Sequence, residues 1–263
     1  MRTLIFWLGL IAFPLSLKGQ EVKIGHYIGL EMGFHEFFGE TIIPDRVMSP
    51  QSIKTKENAT YYGIYDYTID KAIHKKYVGI KYEALFMKNR LGVSSSLRFY
   101  QMSGLLEHDK NHSSFMWLLH RDEQSADYVA IRSINQKSHY VCLPLEIRFF
   151  PKKRDRLFKN YFKIGGSFNY RYSTNYKIDF QESQMSKYAV EVGNTIQKPC
   201  TFSGFVFPAV GFKWGRNNYP WFNLEFQFPG LLIAQRKHAF VEPDVGFGMQ
   251  FAVLIPLNRT IIP

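Results

Sequence analysis

Three consecutive serines, Ser94, Ser95 and Ser96, together with Glu83 and His139, are the residue types that acyl hydrolysis requires: a nucleophile, a base and an acid that orients the base. A serine-rich strand also arises wherever small side chains are needed, so the trio by itself does not specify an enzyme. A second constellation, His108, Asp109 and His112 followed by His120, Asp122 and Glu123, offers imidazole and carboxylate ligands. Neither a His-Glu-x-x-His nor a paired-cysteine motif accompanies it, so a solvated loop is expected. No catalytic site, metal or cofactor is expected.

The third constellation is larger and differently organised. Glu31, Lys81, Glu83, Arg98, Glu146, Arg148, Lys163, Arg171, Lys213 and Glu225 all fall in segments where large apolar residues alternate with small or polar ones. Every one of them takes the small-polar face. That period of two belongs to β-strands, because successive side chains leave opposite faces of the chain. The last segment shows it most simply: Val245, Phe247, Met249, Phe251, Val253 and Ile255 alternate with Gly246, Gly248, Gln250, Ala252 and Leu254. Ile28, Leu30, Met32 and Phe34 oppose Gly29, Glu31, Gly33 and His35 in the first.

Further segments near 78–86, 93–100, 138–150, 162–172, 203–214 and 220–228 bring the expected number of strands to eight. Short turns at Lys88-Asn89-Arg90 and Gly215-Arg216-Asn217-Asn218 alternate with long connections near 38–76, 103–137 and 173–202. Aromatic residues gather at the strand ends: Tyr27, Phe37, Phe38, Tyr77, Phe150, Tyr161, Tyr172, Trp214, Trp221 and Phe228 are expected as interfacial girdles. The fold class that unites these features is all-β, an eight-stranded antiparallel up-and-down transmembrane β-barrel with short turns at one end and long loops at the other. Four acids and six bases would then pair inside a narrow barrel and leave no wide channel.

Composition agrees with this reading. The chain of 263 residues has 17% aromatic residues, yet its mean hydropathy is only -0.21, as expected when greasy and polar faces alternate. Arg2 and the apolar run that follows it make residues 1–20 a signal peptide, leaving one domain over 21–263. Beyond it, no apolar run approaches the roughly 20 residues of a spanning helix. The net charge of +11 suits anionic lipid, and export argues against nucleic acid as its partner. Cys142 and Cys200 are too few for a disulfide scaffold, and whether they pair is open. A soluble, secreted, lipocalin-like barrel would show the same period with its aromatic face turned inward around a ligand.

The stretch Tyr140-Val-Cys-Leu-Pro-Leu-Glu-Ile-Arg-Phe-Phe-Pro151, with Lys23-Ile24-Gly25 near the start and Gly246-Phe247-Gly248 near the end, resembles the PorT-like outer-membrane β-barrel family. The resemblance implies an outer-membrane barrel over essentially the whole mature chain, without a catalytic signature. It also implies a structural or accessory role, in some members tied to secretion. Partners are expected to be outer-membrane lipid and, through the long loops, other envelope or secretion-system proteins. The aromatic run Tyr61-Tyr-Gly-Ile-Tyr-Asp-Tyr67 in the first loop is expected to extend a strand.

Overall fold

The computed structural model describes residues 25–41, 44–48, 72–86, 90–107, 114–121, 126–151, 156–216, 219–233 and 240–257. The expected signal peptide, 1–20, and the Tyr61–Tyr67 run lie outside the described residues.

The strands are β1 (Gly25–Thr41), β2 (Val47–Met48), β3 (Ala72–Phe86), β4 (Leu91–Glu107), β5 (Phe115–Arg121), β6 (Ala126–Phe149), β7 (Phe158–Phe180), β8 (Phe202–Trp214), β9 (Trp221–Gln227), β10 (Gly230–Ile233) and β11 (Val241–Pro256). A 3-10 turn (Ser183–Tyr188) and the short helix α1 (Ala189–Thr195) lie between β7 and β8. All strands belong to one antiparallel sheet, and following the pairings from β1 through β3, β4, β6, β7, β8, β9 and β11 returns to β1. The short strands hang on this ring: β5 continues along β6 and carries β2, while β10 joins β8 to β11. Among the described residues, no helix is long and apolar enough to cross a membrane.

The connections 87–90, 150–157 and 215–220 share one end with Tyr27, which pairs with Pro256. In the last of them Gly215 takes φ 128°, a conformation that any Cβ would strain. The opposite end holds the remaining connections, and there the structure departs from the sequence reading. Where eight strands are expected, the described residues hold eleven, and much of the two later long loops is strand. β6 and β7 run for 24 and 23 residues. The alternation does continue through these segments, but its sense reverses, so a search for a large apolar face stops too early.

Adjacent residues show the two faces of the ring. Leu30 is 68% exposed and Glu31 3%. Val78, Ile80, Phe99, Leu143, Ile164 and Phe222 point outward with Leu30, while Lys81, Glu83, Arg98, Glu146 and Arg148 point inward with Glu31. Parity also corrects the aromatic girdles. Phe38, Tyr172, Trp214 and Phe228 are exposed on the outer face, but Tyr27, Phe37, Tyr77, Phe150, Tyr161 and Trp221 are buried inside. Each buried one lies an even number of residues from an inward charge on or next to its own strand, as Tyr77 does from Lys81 and Trp221 from Glu225, so the pleat turns both the same way. Space for these rings comes from glycines directly across the ladder, Gly33 opposite Tyr77 and Gly211 opposite Tyr161, where a Cβ would meet the ring at 2.5 and 2.3 Å.

Candidate functional site: a sealed interior and a polar head

Eight of the ten charges expected inside meet in one network. Glu31 accepts from Arg98 Nε at 2.5 Å and Nη2 at 3.0 Å, with Lys81 at 3.6 Å. Glu146 accepts from Arg98 Nη2 at 2.5 Å, Lys163 at 3.1 Å, Ser94 Oγ at 3.2 Å and, more closely, Lys81. Arg148 divides its guanidinium between Glu83, at 2.5 Å, and Glu225, which also binds Lys163 and accepts from Tyr161 Oη at 2.8 Å. Four carboxylates thus face four cations, and Ser94, Tyr161, Gln227 and Gln250 donate further hydrogen bonds to them, while Glu83 Oε1 and Arg148 Nε find no partner among the described residues. The charges come from alternate positions of β1, β3, β4, β6, β7 and β9, so closure of the ring is what brings them together.

Two expected members stand apart. Lys213 is buried toward the short-turn end, with its ammonium 3.3 Å from the centre of the Trp221 ring. Arg171 is half-buried and donates to Thr174 Oγ1 at 2.9 Å instead of joining the cluster. The cause is height along the strand: Arg171 keeps the inward parity of Lys163, but it pairs with Tyr140, six residues along β6 from Glu146, and so lies beyond the cluster. A bulge follows it, where His139 pairs with Ser173 and Tyr172 is left unpaired, and there the alternation of β7 changes phase.

Several interior groups were not singled out from the sequence. Gln250 accepts from Tyr77 Oη at 2.9 Å and donates to Glu31 at 2.9 Å, and Gln227 Nε2 lies 2.6 Å from Gln250 Oε1 and 2.7 Å through its own carbonyl from His35 Nε2. Lys75 lies over the rings of Tyr100 and Phe205, at 4.1 and 4.0 Å. Parity with the charges on their own strands points to His35, Lys75 and Gln227, and the small-polar face of β11 holds Gln250; Lys75 precedes the strand boundary expected at Val78.

The network lies between two apolar layers. Toward the short-turn end, Tyr27, Leu85, Phe150, Tyr161, Trp221 and Leu254 pack together. Toward the other end a larger core includes Ile73, Leu106, Trp117, Ile131, Ile134 and Phe180. α1 closes that core with Val192, followed by Ile196, and Trp117 Nε1 donates to Thr195 Oγ1 at 3.0 Å. Here the faces are reversed: on β4 Met102 and Leu106 point in while Gln101 and Ser103 point out, and on β6 Ile134 points in while Lys137 points out.

The candidate hydrolytic residues are not assembled. Ser94 is inside, bonded to Glu146, and Glu83 is engaged by Arg148. His139 is on the outer face beside Tyr172, its ring 6.1 Å away, so the sheet separates it from Ser94. Of the candidate metal ligands only His120 is among the described residues, and no group of three or more His, Cys, Asp or Glu among those residues could hold a metal ion. Cys142 is buried and Cys200 exposed, and both are free thiols.

Neither a protein-family model nor a curated protein matches this sequence. Solved structures similar to the chain include the outer membrane protein OprG of Pseudomonas aeruginosa, with 10% identity over 88% of this chain and 93% of that one, at a TM-score of 0.38. The N-terminal β-barrel domain of Pseudomonas aeruginosa OprF matches with 7% identity over 88% and 99%, at 0.30. Ail, the attachment invasion locus protein of Yersinia pestis, solved in complex with the heparin analogue sucrose octasulfate, matches with 10% identity over 89% and 99%, at 0.32.

Proposed function

We propose that the chain is an integral outer-membrane protein, exported by residues 1–20, whose closed ring is an eight-stranded transmembrane β-barrel with a non-enzymatic, structural or accessory role. The observation that carries the reading is the reversal of polarity along single strands. On β6 the outward residues Leu143, Ile147 and Phe149 give way to His139, Lys137 and Asn135, while the inward ones change from Glu146 and Arg148 to Ile134 and Ile131. Water on all sides would favour the second arrangement throughout, since each large apolar side chain left exposed forgoes about 1.5–3 kcal/mol. Lipid around the first part and water around the second accounts for both.

A closed antiparallel ring suits lipid because it satisfies every spanning backbone group internally. In this reading the short 87–90, 150–157 and 215–220 turns are periplasmic, and the head, the part of β4 to β7 beyond the apolar outer surface together with α1, is outside the cell. A lipocalin-like binder would need the aromatic face enclosed, and here the charged face is. The separation of Ser94 from His139 removes the nucleophile and base that the sequence offered for hydrolysis. Leu143-Pro144-Leu145, which underlies the PorT-like resemblance, lies in the lipid-facing part of β6, and a secretion-linked accessory role would place an envelope partner on the head.

Fractionation of expressing cells, followed by gel electrophoresis of unheated and boiled membranes, tests this. Retention after alkaline carbonate washing and a mobility change on boiling are expected. A soluble periplasmic protein with no mobility change would overturn the reading.

A further inference from the structure

Just above the apolar belt, on one side of the ring, the outward positions are polar and include three lysines. On β3, β4, β6 and β7 the last row of the belt is Val78, Phe99, Val141 and Tyr170, each paired with the next. The row above it contains Lys76, Gln101 and His139, and the next contains Ser103, Lys137 and Asn175. Lys177, across from Asn135, follows on β7. Lys76, Lys137 and Lys177 are exposed, and Tyr172 lies beside the His139 ring on the same face. Because Lys137 pairs with Asn175, Lys177 is its diagonal neighbour, about 7–8 Å away between Cα atoms. Two ammonium groups on four-carbon stems at that spacing can converge on one phosphate.

Carboxylates border the patch without pairing with its lysines. Glu36 is the diagonal neighbour of Lys76 and lies 3.5 Å from His74. Asp179 is two residues beyond Lys177 and faces Glu107 across Ser133, and Asp127 is at the far end of β6. The patch therefore sits where an aromatic residue ends the lipid-facing surface and a cluster of cations begins, the depth at which lipid headgroups carry their phosphates.

We infer that Lys76, Lys137 and Lys177 form a binding site for the phosphate groups of an outer-leaflet glycolipid, with His139 and Tyr172 at its edge. This rests on the membrane reading above and goes beyond it by assigning a lipid class, a leaflet and three residues. Acyl chains would lie along Val78, Phe99, Val141 and Tyr170 while the phosphates sit above them.

The test uses the full-length mature protein, purified from outer membranes and reconstituted in phosphatidylcholine vesicles containing either bisphosphorylated lipid A or the same lipid dephosphorylated. Retention of each lipid is then measured by native mass spectrometry. The wild type should prefer the phosphorylated form, and the triple variant K76Q/K137Q/K177Q should lose on the order of a hundredfold in that preference. A control that removes three exposed charges elsewhere, K187Q/K198Q/R216Q, should retain it, as should the Lys→Arg version of the patch. Both Gln triples must still shift on boiling, which separates lost binding from lost folding. Equal retention of the two lipids by a correctly inserted wild type would overturn the inference alone, whereas failure of the wild type to insert would overturn the membrane reading as well. Displacement of lipid A by millimolar inorganic phosphate, or equal binding to a soluble sulfated polysaccharide, would show that the patch takes free anions and would also overturn the assignment.

Discussion

At the residue scale the interior depends on how few groups satisfy how many charges. Glu146 alone contacts Lys81, Arg98 and Lys163, and it accepts from Ser94. Removing one partner of a buried ionic cluster leaves the others desolvated and unpaired, which costs about 3–5 kcal/mol. Glu146→Ala should therefore lower the temperature at which the folded band converts to the unfolded one on gels, and lower the urea midpoint in detergent. An unchanged midpoint would mean that water enters the network and screens it. Exchanging the charge of an outward head residue such as Lys177 should leave both midpoints where they are.

At the element scale the long strands β4, β6 and β7 each perform two tasks along their length, and substitutions on one outward face should differ in effect with depth. Ile80→Arg places a charge on the outward apolar part of β3, where the proposed lipid boundary would cost about 2–4 kcal/mol near the bilayer midplane. Gln101→Arg, on the outward face of β4 just above the belt, should be close to neutral. Comparing the fraction of each variant that inserts into vesicles checks this, and equal effects would argue against a lipid boundary between these positions. Trp117→Ala empties a large site beneath α1 at a cost of about 3–5 kcal/mol. Limited proteolysis should then cut the head while the lipid-facing strands stay protected and still shift on boiling. The strand cores were legible because one side of the alternation is large and apolar; β6 and β7 beyond His139 and Tyr172 were not, because there the apolar residues change sides.

For the whole molecule the order of layers matters: apolar seal, ion network, apolar core, helix. A ring of this size is filled by its own side chains. The prediction is that the wild type in planar bilayers conducts no more than the bare membrane, across physiological salt. A steady conductance would show that one of the two apolar layers opens. The basic side of the head makes the molecule asymmetric as well, so its lipid annulus should be richer in phosphorylated lipid next to β6 and β7 than elsewhere.

What the sequence by itself determined was parity. Strict alternation dictates which residues share a face, and so the all-β class, the common side of Glu31, Lys81, Glu83, Arg98, Glu146, Arg148, Lys163, Arg171, Lys213 and Glu225, and the shared apolar face opposite it could be read one strand at a time. Parity cannot say which face is enclosed, because a soluble barrel and an inverted one have the same period. Only ring closure decided that, by setting strands far apart in sequence around one interior, so that Glu31 meets Arg98 and Glu225 meets Arg148. Nor could local pattern reveal the bulge at Tyr172 that changes the phase of β7, or the helix that seals the head. Both are set by register and packing between strands, which are properties of pairs of segments and are not written in either segment alone.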